Sequence, residues 1–389
     1  MELLNHIIAG NLLLRVFGIF FAVLVIIFVH EIGHYLIGRW CGIKASVFSL
    51  GFGPQIVGYT DKHGTQWRLA LIPLGGYVKF RGDGEDISSF QSSSTGDGSY
   101  ASAHAWKRAA TVFSGPLFNI LFTFIILTFF FFTYGRVVID PVIGSLVKDA
   151  PAIQSGLELG DRFIEMDGRR VVSFEDLMEY VTLHGGDPIE FKMERRGQEF
   201  TTVIIPQVIE RDDGFGNRVR SGMIGVGVPI DPENSMRLDP SYVKHMRYGF
   251  VKAIEEASRR ITFIVTQTVF FIGRLIAGKE DHCQISGPSK TVQIAWKVSE
   301  TGFVSLLNLI AFLSINVGLI NLFPIPPLDG GHLLFHVIEV FARKPISSKI
   351  QVIIFRLGLF FVLLFMVFVF FNDYFCWFSQ LNYGKHFIN

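Results

Sequence analysis

The chain has 389 residues, of which 50% are hydrophobic, 14% aromatic and only 18% charged. A soluble domain carries about 25% charge, so this chain is too apolar for one soluble globule, yet too charged to be membrane helix from end to end. Disorder, a collagen-like fibre and a disulfide scaffold are excluded as well, and 35 basic against 34 acidic residues leave no polycation for a nucleic acid to bind.

In chain order, residues 16–29, VFGIFFAVLVIIFV, are apolar throughout, and the helix pattern can continue to about Trp40. The stretch lacks a basic leader and a small-residue cleavage site, so it is read as part of the mature protein rather than as a signal peptide. KASVFSLGFG, PQIVGYT, TQWRLALIP and GYVKF then read as short strands, joined by a DKHG turn and paired glycines. A Ser/Gly-rich linker follows, at 88–102. Residues 111–134 contain no charge. Residues 142–228 alternate strand patterns with a short helix, SFEDLMEYVTLH. Residues 247–278 begin charged and turn apolar. That run is short for a span and is read as a helix lying in the membrane interface, with a fifth span as the alternative. Residues 303–322 and 352–371 complete the apolar set. A spanning helix needs about 20 apolar residues, so the chain is predicted to cross a membrane four times.

Loop charge orients these spans. The 39–110 segment holds Arg39, Lys44, Lys62, Arg68, Lys79, Arg81, Lys107 and Arg108, and the last link holds Arg343, Lys344 and Lys349. The positive-inside rule makes both cytoplasmic and puts the termini and 135–302 outside. Cys41, Cys283 and Cys376 form no CxxC pair; the last two fall on the same side and can form a disulfide.

The chemistry concentrates at two places. His30-Glu31-Ile32-Gly33-His34 is an HExxH at the end of the first span. On a helix, positions i and i+4 share one face, so both imidazoles can reach one Zn²⁺ while Glu31 takes a proton from water. Ionisable groups at a bilayer's edge are costly and usually mark function. A catalytic zinc needs a third protein ligand. Asp329 in NLFPIPPLDGGH is the candidate, because Pro324, Pro326 and Pro327 stop the third span and leave irregular backbone at membrane depth. The competing role for Asp329 is to cap the next helix. His332 and His336 also stand at i and i+4, as a rival pair or as supporting side chains. Asn316 and Asn321 either glue helices together or hold an extended substrate.

HEIGH, the GFGP turn from Gly51 to Pro54, LIPLGGYVKF, SGPLFN and NLFPIPPLDGGH together resemble the site-2 protease family, in its bacterial RseP type. The resemblance runs over nearly the whole chain, with the motifs in family order. It implies a polytopic α-helical membrane protein of four transmembrane helices, with a membrane-reentrant β-loop and one extracytoplasmic PDZ domain. The implied metal ligands are His30, His34 and Asp329 for Zn²⁺, with Glu31 as the catalytic base. Asn316, Asn321, Pro324 and Pro326 match positions that hold substrate.

The implied organisation is a first half of the core at 1–134, with the β-loop at 44–80 and a flexible loop at 85–104. A PDZ domain at 135–232 follows, then a periplasmic linker with the interfacial helix at 233–302, and the second half of the core at 303–389. The RseP type carries two PDZ domains in tandem, whereas 142–228 has room for one. The implied location is the bacterial inner membrane, with both termini periplasmic and the active site toward the cytoplasm. The implied substrates are single-span membrane proteins, such as an anti-sigma factor or remnant signal peptides, whose trimmed ectodomains the PDZ domain senses. A non-catalytic PDZ scaffold and a zinc transporter are the alternatives to regulated intramembrane proteolysis.

Overall fold

The computed structural model describes residues 12–82, 98–212, 218–231, 238–278, 287–300, 303–344 and 346–383. Most of the loop expected at 85–104 lies outside them, as does Cys283, so the disulfide that Cys283 and Cys376 could form lies outside the described residues. The helices are α1 (Leu12–Trp40), α2 (Ala105–Thr133), α3 (Pro151–Gln154), α4 (Phe174–Leu183), α5 (Phe250–Ile276), α6 (Pro288–Glu300), α7 (Phe303–Leu322), α8 (Asp329–Ala342) and α9 (Ser348–Tyr383). Four of the described helices are long and apolar enough to cross a membrane: Val16–Trp40, Ala105–Thr133, Ser305–Leu322 and Lys349–Asn372. They coincide with the four apolar stretches of the sequence. The chain forms two compact units, 1–127 with 291–368, and 128–290 with 369–389.

In the first unit, Ala22 and Ile26 of α1 pack with Leu306, Leu309 and Ile310 of α7 and Ala295 of α6. Apolar helices gain little from burying grease against grease in lipid, so close packing and hydrogen bonds must hold them together. They do so here between α2 and α7. Thr123 Oγ1 donates to the Ala311 carbonyl at 3.0 Å, and Ser314 Oγ donates to the Asn119 carbonyl at 3.1 Å. Gly318 permits the approach, since a Cβ there would stand 3.0 Å from the Pro116 carbonyl oxygen.

Between α1 and α2 lies an antiparallel pair of long strands, β1 (Ala45–Thr60) and β2 (Gln66–Phe80). Each doubles back on itself. Leu50 pairs with both Gly76 and Leu69, and residues 66–70 pair in addition with Gln55–Thr60. The lateral order is therefore 55–60, 66–70, 45–50, 76–80, which recovers four short segments within two continuous strands. Gly51, Gly53 and Gly75, all at positive φ, make the reversals without breaking the chain. Phe48, Phe80 and Ala45 anchor the sheet on Tyr35 and Ile32 of α1.

The second unit is a small α+β domain followed by α5. Its strands are β3 (Arg136–Ile139), β4 (Ser145–Leu146), β5 (Arg162–Met166), β6 (Arg169–Arg170), β7 (Ile189–Arg195), β8 (Gln198–Ile204), β9 (Gln207–Asp212), β10 (Arg218–Met223), β11 (Val226–Gly227) and β12 (Val243–Met246). The main sheet runs β6-β5-β7-β8. Its core gathers Phe163, Phe191, Met193 and Ile204 from the sheet with Leu177 and Val181 of α4. Ser173 caps α4 by accepting the Asp176 N–H at 3.1 Å.

Helix α5, expected as an amphipathic helix, lays one face along α4. Arg260 pairs with Glu179 at 2.8 Å and Arg274 with Asp187, while the His184 ring stacks between Tyr180 and Phe270 at 3.8 and 4.2 Å. Two of its arginines, Arg260 and Arg274, are thus spent on the domain.

Asp161 ties β5 to β7. Burial pushes its carboxyl up, but both oxygens accept from the Arg195 guanidinium at 2.7 Å and one accepts the Glu158 N–H, so the group stays below the usual carboxylate range. A lowered carboxylate stabilises the fold above its unfolded pKa, and the effect is lost as pH falls through the folded one. Hydrogen exchange on the full chain is expected to show several-fold faster exchange of β5 and β7 amides in Asp161→Asn at pH 7. That difference should shrink toward pH 3.

Candidate metal centre

The last turns of α1 carry His30, Glu31 and His34. Their rings are placed by the 3.6-residue repeat, with imidazole centroids 4.9 Å apart at 87°. The helix runs unbroken to Trp40, with no proline to remove one of its hydrogen bonds. Gly33 lets α2 approach, since a Cβ there would lie 2.6 Å from the Ser114 carbonyl oxygen.

Asp329 arrives from the other end of the sequence. α7 stops at Leu322, the proline-rich turn reverses the chain, and α8 opens with Asp329. The residue before the helix is Leu328, and no side chain caps this terminus. Asp329 is therefore not spent as a cap. Gly330 and Gly331 let α8 fold against its own turn; Cβ atoms there would meet the Phe323 carbonyl oxygen at 2.1 Å and the Pro326 nitrogen at 2.8 Å.

The three side chains converge. His30 Nε2 lies 2.9 Å and His34 Nε2 3.4 Å from Asp329 Oδ2, and the two nitrogens are 3.3 Å apart. Ligand-type atoms of these three residues all lie within 4.8 Å of one another, the one such cluster among the described residues. A tetrahedral zinc with bonds of 2.0–2.1 Å sets neighbouring ligand atoms about 3.3 Å apart. Asp329 Oδ2 is buried and accepts no hydrogen bond of proper geometry, although two ring nitrogens face it. An orphaned carboxylate oxygen facing two imidazole nitrogens fits a cation between them.

The far sides of the rings fix their tautomers. His34 Nδ1 donates to the Thr111 carbonyl at 2.8 Å, which leaves its Nε2 with a lone pair toward Asp329. His30 Nδ1 lies 3.3 Å from the Asn119 amide nitrogen, while Asn119 Oδ1 is buried without a partner. Rotating that amide by 180° satisfies both groups, with Oδ1 accepting from His30 Nδ1–H. Gly115 closes the back of the site: a Cβ there would sit 2.3 Å from His34 Nε2 and 2.9 Å from His30 Cε1.

The other expected residues divide. Asn321 reaches the site, with its amide nitrogen 3.4 Å from His30 Nε2. Asn316 does not; it donates to the Phe312 carbonyl of its own helix at 2.7 Å. Pro324 is exposed, and Pro326 packs its carbonyl where Gly358 of α9 leaves room. His332 and His336 form no metal cluster. His332 is exposed beside Phe355, while His336 is buried between the Tyr100 hydroxyl at 2.9 Å and Glu339 at 3.5 Å. Gly115 and Asn119 lie in the SGPLFN motif but carry no role in the sequence analysis, and Thr111 is not singled out there. Asn119 had a usable signal as the one amide side chain in the charge-free run 111–134.

The sequence matches the profile of Peptidase family M50 over residues 18–365. A Bartonella henselae protein whose name is that of a zinc metalloprotease is 77% identical, covering 92% of this chain and all of its own length. One from Brucella suis, similarly named, is 43% identical over 91% of this chain and 93% of its own. The metalloprotease MmpA of Caulobacter vibrioides is 31% identical over 93% and 95%.

Asn119→Leu removes the acceptor for His30 and is expected to weaken zinc binding by about 10–100-fold. Gly115→Ala should leave the purified protein with well under one zinc per chain. Metal analysis of both variants against wild type, after dialysis in a zinc buffer, measures this.

Proposed function

From Peptidase family M50, the site-2 protease family to which this chain belongs, we propose an intramembrane zinc endopeptidase that cleaves single-span membrane proteins. Membership and four apolar helices already make the chain a zinc-dependent metalloprotease of multi-pass membrane type. The observation carrying the finer reading is the convergence of His30, His34 and Asp329 at the edge lengths of a zinc tetrahedron.

Those three residues would hold the ion and leave a position open. Bound there, zinc supplies Lewis acidity toward the scissile carbonyl and makes water a better nucleophile near neutral pH. Glu31, adjacent to the first histidine and buried, takes the proton of the attacking water and returns it to the leaving amide nitrogen. His34, tied to Thr111, and His30, tied to Asn119, keep their lone pairs aimed at the cluster through both proton transfers. Asn321 offers its amide to the substrate backbone beside His30.

A helical substrate hides its peptide bonds behind its own hydrogen bonds, so it must unwind before cleavage. Segment 76–80 is an edge of the β1–β2 sheet, and Gly76 lies so close to α1 that a Cβ would come within 3.0 Å of Glu31 Cγ. A substrate strand added to that edge passes beside the base, with main-chain hydrogen bonds replacing those lost on unwinding. Asn316, further up α7, and Pro324 and Pro326 in the turn after it are assigned to substrate on the family resemblance.

The second unit is read as a single PDZ domain that senses trimmed or bulky ectodomains. The loop charges favour a bacterial inner-membrane protein with both termini and this domain in the periplasm and the active site toward the cytoplasm. Anti-sigma factors and remnant signal peptides are the substrate class, and proteolysis is regulated by a prior cut outside the membrane.

The test uses a tagged single-span substrate with the purified protein. Glu31→Gln should keep its zinc and lose cleavage by at least about a thousandfold, Asp329→Asn should lose both, and His336→Ala should keep its zinc. Cleavage by Glu31→Gln at the wild-type rate would overturn the reading.

A further inference from the structure

A second site lies in the α+β unit, away from the HExxH cluster. Between the domain and the first half of α5 is a cleft of about 780 Å³. Sites for small molecules and headgroups typically fall in the range of about 300–1,000 Å³. The lining is mostly apolar, with Met166, Met246, Tyr248 and Phe263 among its residues. Arg136 also lines it, but its guanidinium is taken up by Asp176 at 2.8 Å and Glu256 at 3.5 Å.

The remaining charges are one-sided. Arg169, Arg170 and Lys252 line the cleft and are exposed, and among the described residues none of them forms an ion pair. Arg169 rests only on the face of the Tyr180 ring, 5.7 Å from its centroid. Arg259 and Arg260 are engaged by Glu256 and Glu179. Against the three unpaired cations stands one unpaired carboxylate, Glu255. Three cations gathered over an apolar floor call for an anion that carries apolar mass.

The level of the cleft says which. α2 bears no charge between Arg108 and Arg136, so its last turn marks a hydrocarbon boundary. Tyr248, in the cleft, packs on Phe131 of that turn with ring centroids 6.0 Å apart, and Phe250 packs on Phe132 at the same distance. Tyr134 and Tyr248 stand where interfacial aromatic residues gather. The cleft therefore opens at headgroup height, where the abundant amphiphilic anion is a phospholipid.

We propose that this cleft binds the headgroup of an anionic phospholipid. Its phosphate lies among Arg169, Arg170 and Lys252, and its glycerol and first methylenes lie on Tyr248, Met246 and Phe263. Guanidinium and ammonium groups suit phosphate oxygens, and basic recesses at this depth are the usual form of such sites. The lipid would brace the domain and α5 against the bilayer surface.

The experiment uses the full-length protein, delipidated in a neutral detergent, with a photoreactive phosphatidylglycerol. Cross-links are expected in residues 166–172 and 246–263. Unlabelled phosphatidylglycerol should compete about tenfold better than phosphatidylcholine, and inorganic phosphate should not compete at millimolar levels. The triple variant Arg169→Gln, Arg170→Gln, Lys252→Gln should lose that preference with its zinc content unchanged. Glu255→Gln, which leaves every cation in place, should strengthen labelling. Equal competition by the two lipids, labelling confined to other segments, or displacement by free phosphate overturns the proposal. So does an acidic peptide that displaces the lipid at lower concentration, which assigns the cleft to a protein ligand.

Discussion

A polar atom in an apolar bundle must find a partner inside the protein, and the first unit is arranged around that requirement. Two imidazoles and two carboxyl groups sit among helices whose other buried polar side chains, such as Ser114, Asn119, Thr123 and Ser314, are neutral. The outer nitrogen of each ring is committed, one to the Thr111 carbonyl and one to Asn119, and only the inner nitrogens and Asp329 Oδ2 are left facing one another. What is unsatisfied has thus been concentrated at one point. A divalent cation is the natural complement of two lone pairs and a negative charge held at that spacing.

Convergence at that point depends on backbones coming closer than side chains normally permit. Gly33 and Gly115 bring α1 and α2 together behind the imidazoles, and Gly318 does the same for α2 and α7. Pro116 lies inside α2, which continues through it, and the Thr111 carbonyl nearby accepts from both His34 and the Ser114 hydroxyl. The irregular turn before Asp329 is likewise held by contacts that only Gly330, Gly331 and Gly358 allow. Glycine here is a requirement of distance, not of flexibility, and each of these positions is intolerant of a methyl group for a reason that can be measured in ångströms.

Much of this was legible in the sequence, for identifiable reasons. Helical periodicity put His30 and His34 on one face, and apolar length marked the four spans. The proline run before Asp329 announced a break in the helix at membrane depth. What sequence spacing could not decide was the direction of a side chain within an apolar helix. Asn316 and Asn321 are five residues apart on α7 and looked equivalent. Only the packing of α7 shows that one amide meets His30 while the other bonds back to its own turn. Asn119 stood out as the one amide of its apolar run and as the end of SGPLFN, but nothing in the spacing showed that it meets His30. The glycine-driven reversal that gives two long strands four lateral positions, and the docking of α5 on α4, are tertiary facts. They rest on pairs far apart in sequence, such as Leu50 with Leu69 and Arg260 with Glu179.

Pairing follows surroundings along the chain. Within the apolar helices the ionisable side chains of the centre are met by one another, by the Thr111 carbonyl and by the Asn119 and Asn321 amides, and the buried Glu339 is paired with Arg108 at 2.8 Å. At the end of α2, where charge first reappears, Arg136 is divided between Asp176 and Glu256. Arg170 and Lys252, in the same cleft as Arg136, form no ion pair among the described residues. The cost of leaving a charge unpaired falls steeply from hydrocarbon to water, so unpaired cations are cheap on the wet side and their clustering still needs a cause. A domain that must stay beside its membrane has one: cations left free at headgroup height gain their counter-charge from the bilayer itself.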